Sequence, residues 1–172
     1  ILQKNITKIF MDEDKLNRLP PDVKKQFLKL ALKLSEKKTK SKVHDDFMTF
    51  VKHVWPEFIE GKHHKEIAEK FNQIAKGEIK RLIINMPPRH TKSEFASFLL
   101  PSWMVGRKPD LKIIQTTHTT ELAIRFGRKA KTLMDSAEYK QVFKTRLRED
   151  SQAAGKWETE QGGEYYAAGV GS

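Results

Sequence analysis

The chain has 172 residues, 38% apolar and 32% charged, which suits one domain with a real core. No run approaches the ~18 apolar residues of a membrane span. Net charge is +11, from 33 Lys and Arg against 22 Asp and Glu, and the absence of cysteine excludes disulfides and thiolate metal sites.

The six histidines show no HExxH or comparable spacing, so no protein-held zinc is expected. Ile1-Leu2-Gln3-Lys4 has neither an initiator Met nor the basic head and apolar centre of a signal peptide. The numbering is therefore expected to start inside a longer chain or after a trimmed tag.

Residues 1–43 predict a basic helical arm, with twelve Lys and Arg against five Asp and Glu. Pro20-Pro21 interrupts the chain and Asp22 stands where a cap or first-turn acid belongs. Val23, Phe27, Ala31 and Leu34, with Leu30 beside them, recur at helical spacing and predict one buried face. Lys37 to Lys42 reads as a polar linker. The lysines have two explanations, a polyanionic partner whose phosphates they neutralise or a solvated helical face. Asp12-Glu13-Asp14 and Asp45-Asp46 are local acidic clusters without spaced partners and read as helix starts, not metal sites.

Residues 44–172 form the second predicted region. Phe47, Phe50, Val51 and Val54 make a short amphipathic helix that stops at Trp55-Pro56. His63 to Lys76 makes another, with Ile67, Ala68, Phe71, Ile74 and Ala75 inward and Gly77 at its C-terminus. Arg81-Leu82-Ile83-Ile84-Asn85 is β-rich and apolar on both faces, as in a strand of a covered parallel sheet. After a loop at 86–91, Lys92 to Leu100 predicts a helix with Phe95, Phe98 and Leu99 inward. The turn cluster Gly106 to Asp110 precedes a second strand, Leu111 to Gln115. The hydroxyl-rich loop Thr116 to Thr120 opens a helix to about Met134, and helix capping is the preferred role of its threonines. This order is a βαβα unit and predicts a mainly parallel, doubly wound sheet.

Lys144-Thr145-Arg146-Leu147-Arg148 is either a stretch that tracks a DNA backbone or an exposed helix end. Lys156 to Thr159 and Glu164 to Ala168 flank Gln161-Gly162-Gly163, a hairpin signal. Trp55, Trp103 and Trp157 are assigned to the core.

The chemistry concentrates at Met86-Pro87-Pro88-Arg89-His90-Thr91-Lys92-Ser93. In a phosphate-binding P-loop, successive backbone N–H groups wrap phosphates at a helix N-terminus. A Lys reaches the terminal phosphates and a Ser or Thr hydroxyl binds Mg²⁺. Lys92-Ser93 supplies both side chains between a predicted strand and a predicted helix. The usual pattern is G-x-x-x-x-G-K-[ST], and Met86 and Thr91 occupy the two glycine positions. If Thr91 must adopt a left-handed backbone, roughly 1–2 kcal/mol of strain follows. Arg89 brings a guanidinium to the site, His90 another donor, and the loop holds no acid before Glu94.

This stretch resembles the PPRHGKS-type Walker A of the large terminase subunits, the DNA-packaging motors of tailed phages. The flanking motifs agree in order over residues 47–172. His63-His64 through Gly77 to Leu82 resembles the segment before that Walker A. Leu100-Pro101-Ser102-Trp103 with Gly106 to Asp110 is similar to the family's FPAW…GRNPD stretch. Glu121-Leu122-Ala123 with Phe126 to Lys129 resembles the helix after the second strand, and Gly163 to Gly171 the approach to the Walker B.

The resemblance implies a partial P-loop NTPase domain of the RecA-like/ASCE kind (α/β, mainly parallel sheet) behind the helical arm, cut before its Walker B acids. It implies ATP and Mg²⁺ as cofactors. Lys92 would contact the β/γ-phosphates, Arg89 would stabilise charge, and Ser93 would ligate Mg²⁺. Pro88, Arg89, His90, Thr91, Lys92, Ser93 and Glu94 would line the nucleotide site. His64 is assigned either a place near the nucleotide or, with His63, a solvated pair at a helix start. Implied partners are double-stranded DNA, a portal protein, a small terminase subunit and further copies in a ring, in the host cytoplasm with no membrane. A helicase-type motor and a non-enzymatic basic nucleic-acid-binding module are the alternatives.

Overall fold

The computed structural model describes residues 13–170, so the acidic cluster at 12–14 lies partly outside the described residues. The chain divides into two units between Ser41 and Lys42.

In the first unit, α1 (Glu13–Asn17) is followed by α2 (Pro21–Asp45), and Lys24 Nζ donates to Asn17 Oδ1 at 2.8 Å. The linker expected at Lys37 to Lys42 is instead helical. No glycine and no second proline interrupts α2, and lysine and glutamate are good helix formers. The predicted inward face is only partly realised. Ala31 is buried, but Val23, Leu30 and Leu34 are exposed.

The second unit begins with two helices locked by one polar cluster. Helix α3 (Phe47–Val54) is capped by Asp46, which accepts from Thr49 N–H at 2.7 Å. Asn72 of α4 (Lys62–Ala75) donates to Asp46 Oδ1 and accepts from Phe47 N–H, both at 2.8 Å. Burial raises the Asp46 carboxyl, but the bonds from Thr49 and Asn72, aided by Lys52, bring it below its usual range. Gly77 ends α4 with a left-handed φ of 78°, which a glycine adopts without steric cost.

A continuous helical run then extends from Lys92 to Arg107. Its parts are α5 (Lys92–Glu94), a π-helical turn (Phe95–Leu99) and α6 (Leu100–Arg107). Beyond it come β1 (Lys112–Thr117), α7 (Thr120–Asp135), α8 (Ala137–Val142), β2 (Leu147–Ala153), β3 (Lys156–Thr159) and β4 (Glu164–Gly169).

The sheet order is β1-β4-β3-β2. Only β1 and β4 are parallel, with Ile113 opposite Tyr165, while β3 runs antiparallel to both β4 and β2. The expected mainly parallel sheet is therefore a mixed one. Connection length explains this: the turns at 154–155 and 160–163 are far shorter than the dozen or so residues a parallel crossover needs. The predicted hairpin at Gln161-Gly162-Gly163 is one of these turns.

The strand expected at Arg81 to Asn85 belongs to no ladder among the described residues. Both edges of β4 are already taken, by β1 and by β3. Leu82, Ile84 and Met86 pack against the core, whereas Ile83 is 86% exposed, so the segment is one-sided and not covered on both faces.

Aromatic rings centre the core. Phe47 meets Phe71, Phe95 and Trp103 edge-on, with centroids 5.0, 5.4 and 5.4 Å away. Trp103 and Trp157 are fully buried and Trp55 packs against the core, as the sequence led us to expect. Trp103 Nε1–H donates to the Val43 carbonyl at 3.1 Å, and Tyr139 Oη–H to that of Ser102 at 2.8 Å. Phe95 thus ties the start of the helical run to the same ring cluster that holds α3 and α4. Among the described residues, no helix is long and apolar enough to cross a membrane.

Candidate functional site

The loop that enters the helical run departs from ordinary backbone geometry at two points. Arg89 and Thr91 have φ of 66° and 57°, the only left-handed non-glycine residues among those described. Thr91 occupies the N-cap of the run, with ψ of 8°. It also stands where G-x-x-x-x-G-K-[ST] has its second glycine, so the backbone shape glycine ordinarily supplies is kept here by a β-branched residue. That conformation costs about 1–2 kcal/mol.

A directed chain of hydrogen bonds holds Thr91. The Gly61 N–H donates to His64 Nδ1 at 2.8 Å, so that nitrogen is an acceptor. His64 then takes the place that Glu or Gln fills in a capping box at the start of α4. At the far end, the Thr91 hydroxyl donates to the His90 carbonyl at 2.7 Å. The intervening bond of 2.5 Å joins His64 Nε2 to Thr91 Oγ1, and only Nε2–H donating to Oγ1 satisfies both ends.

The His64 ring is 7% exposed and packs between Phe58 and Phe95, with centroids 4.8 and 5.2 Å away. Burial, then the neighbouring His63, lowers its pKa, with His90 adding to the fall and Glu60 opposing it. A neutral ring of one tautomer results. The pair His63-His64 does stand at a helix start, but His64 is not solvated, because it faces the loop and not water.

With its hydroxyl held by His64 and His90, Thr91 makes no side-chain cap to the helix it opens. The first N–H groups of the run are left for another acceptor. A recess of about 240 Å³ lies against them, lined by residues 87–94 alone. Arg89 and Lys92 join no ion pair among the described residues, and Ser93 is exposed. Glu94, the only acid lining the recess, is held by Lys129 of α7 at 3.0 Å to each oxygen. Lys129 also lies 5.2 Å from the Phe98 ring centre. The balance of charge beside the recess is positive.

His90 folds back, its Nδ1–H donating to the Pro88 carbonyl at 2.9 Å. In the neutral ring its outer nitrogen carries a lone pair, so it is a second donor only when protonated.

The structure thus gathers Pro88, Arg89, His90, Thr91, Lys92, Ser93 and Glu94 on one recess and sets His64 behind it. Other sequence candidates lie elsewhere. Thr119 caps α7 by accepting from Leu122 N–H at 3.3 Å, and Thr117 Oγ1–H donates to the Thr119 carbonyl at 2.7 Å. Lys144 to Arg148 is no helix end: it is the approach to β2, where Arg148 forks to Asp150 and reaches Glu158 at 2.9 Å. Sequence reasoning missed Gly61, whose N–H acts three residues on at His64, and it named Lys129 only within the stretch Phe126 to Lys129, with no role at the loop, because that role depends on a tertiary contact with Glu94.

No group of three His, Asp or Glu placed to hold a metal occurs among the described residues. No protein-family model, curated protein or solved structure matches the chain.

Proposed function

We propose that this chain carries the phosphate-binding part of a large-terminase ATPase, a P-loop NTPase that drives double-stranded DNA into a viral procapsid. The observation that supports it best is the backbone at Thr91. Its left-handed turn, at the glycine position of the motif, opens an uncapped helix start that carries Lys92 and Ser93. The mixed sheet supports only the broader α/β class, so the family assignment rests on the loop and the ordered motifs around it.

In this scheme the first N–H groups of the run receive phosphate oxygens, Lys92 Nζ reaches the β- and γ-phosphates, and Arg89 balances further charge. A recess of about 240 Å³ suits a phosphate chain, leaving sugar and base outside it. Mg²⁺ usually keeps several waters and takes one or two protein oxygens plus phosphates. Ser93 Oγ fits such an ion arriving with the nucleotide, and Mg²⁺ alone is expected not to bind. When bound, the metal neutralises charge on the terminal phosphates.

Glu94, the one acid lining the recess, pairs with Lys129, and the resemblance supplies no Walker B acid pair within residues 47–172 to orient an attacking water. The chain is therefore proposed to bind Mg-ATP and turn it over slowly or not at all by itself. Portal protein, small terminase subunit, DNA and further copies in a ring belong to the same proposal, as does action in the host cytoplasm.

Calorimetric titration with Mg-ATP tests it. Saturable binding that is weakened about 10- to 100-fold in Lys92→Ala, with none for Mg²⁺ alone, supports the proposal. No Mg-ATP binding together with salt-dependent DNA binding would favour a basic nucleic-acid-binding module instead.

A further inference from the structure

We infer that His64 is the positioning residue that keeps this loop open to phosphate: by holding the Thr91 hydroxyl, it keeps a threonine in a glycine's backbone conformation and away from the helix start. The inference rests on the phosphate-binding proposal for its consequence, but not for its geometry.

A threonine at an N-cap ordinarily adopts extended backbone and turns its oxygen onto the N–H groups of the first turn. In this fold the N-cap Thr119 of α7 does so, with φ of −128° and ψ of 149°. Thr91 has the same side chain at the same helical position, yet φ is 57° and no cap forms. The difference is the acceptor and donor waiting for its hydroxyl. His64 Nε2–H gives to Oγ1, and the His90 carbonyl takes its proton. Both ends of the chain are backbone groups, the Gly61 N–H and the His90 carbonyl, so its direction cannot reverse in the neutral state. Without His64, the hydroxyl is released to the N–H groups that a phosphate needs.

Three elements set the electrostatics of the ring: Glu60 in the segment before α4, His63 on α4 itself, and His90 in the loop. Ring contacts fix its plane, Phe95 stacking on it and Phe58 meeting it edge-on. A protonated His64 would turn Nδ1 into a donor against the Gly61 N–H, breaking the chain at its first link.

Two measurements on the full chain test this. The first is ¹⁵N NMR of the histidine side chains in the wild type without nucleotide. A neutral Nε2–H tautomer for His64 at pH 7, its Nε2–H signal moved by Thr91→Val, supports the clamp. A Nδ1–H tautomer, or an Nε2–H signal indifferent to Thr91→Val, overturns it whether or not nucleotide binds.

The second is a double-mutant cycle in Mg-ATP affinity. Loss of a single positioning hydrogen bond is expected to weaken binding about tenfold in His64→Leu. His64→Gln, whose amide can donate from a similar position, recovers most of that loss. In a Thr91→Gly background, where no hydroxyl has to be held, His64→Leu changes affinity by less than about twofold. An equal loss in both backgrounds overturns the inference. Absence of Mg-ATP binding by the wild type overturns the phosphate proposal instead, and the NMR result still decides the clamp.

Discussion

Two junctions in this chain start helices with threonine, and they do so in opposite ways. At 117–120, β1 passes into α7 through extended backbone, and Thr119 covers the helix start with its own oxygen. At 86–92, a one-sided segment passes into the helical run through two left-handed residues, and the threonine turns away. The first junction is closed and structural. The second stores strain, leaves its N–H groups open and gathers Arg89, Lys92 and Ser93 around a recess. A helix N-terminus becomes a candidate anion site only when nothing of its own covers it.

The largest separation between the junctions is expected from removing charge. Lys92→Ala should weaken Mg-ATP binding by about 10- to 100-fold, the worth of a charge-assisted contact. Arg125→Ala, on the exposed face of α7 beside the closed junction, should leave affinity unchanged in the same calorimetric titration.

Isosteric substitution comes next. Thr91→Val leaves the buried His64 donor without an acceptor, and about 1–3 kcal/mol of stability should be lost in urea unfolding, together with nucleotide affinity. Thr119→Val removes only a cap, so about 1 kcal/mol should be lost and affinity kept. Equal effects at the two positions would erase the distinction.

Acid should separate them further. The folded pKa of His64 lies below its ordinary value, so the fold binds this proton less readily than the unfolded chain does. Its contribution to stability is present above the ordinary pKa of about 6.5 and is lost as pH falls below it toward the folded pKa. Midpoints of thermal unfolding should thus fall more steeply from pH 7 to 5 in the wild type than in His64→Gln. The smallest effect belongs to the Glu94–Lys129 pair. Both side chains are more than a third exposed to water, 34% and 37%, and Lys129→Ala should cost under about 1 kcal/mol.

The helices were legible because their signals are local. Asp46 before Phe47, Gly77 after α4 and the apolar spacing of α7 each act within a few residues. The sheet was less legible. Arg81 to Asn85 has the composition of a covered strand, but composition does not decide pairing, and the segment turns only Leu82 and Ile84 to the core while Ile83 stays exposed. Lys37 to Lys42 looked like a linker by polarity, while polarity alone does not end a helix. In the loop, the residues that line the recess could be read from the motif. The role of His64 could not, because it depends on an imidazole 27 positions upstream meeting one hydroxyl.

The most direct test is an ¹⁵N–¹H titration of backbone amides with Mg-ATP. Large shifts are expected at Lys92, Ser93 and Glu94 and none at Glu121, Leu122 and Ala123. Shifts at neither helix start, or equal shifts at both, would contradict the proposed phosphate site.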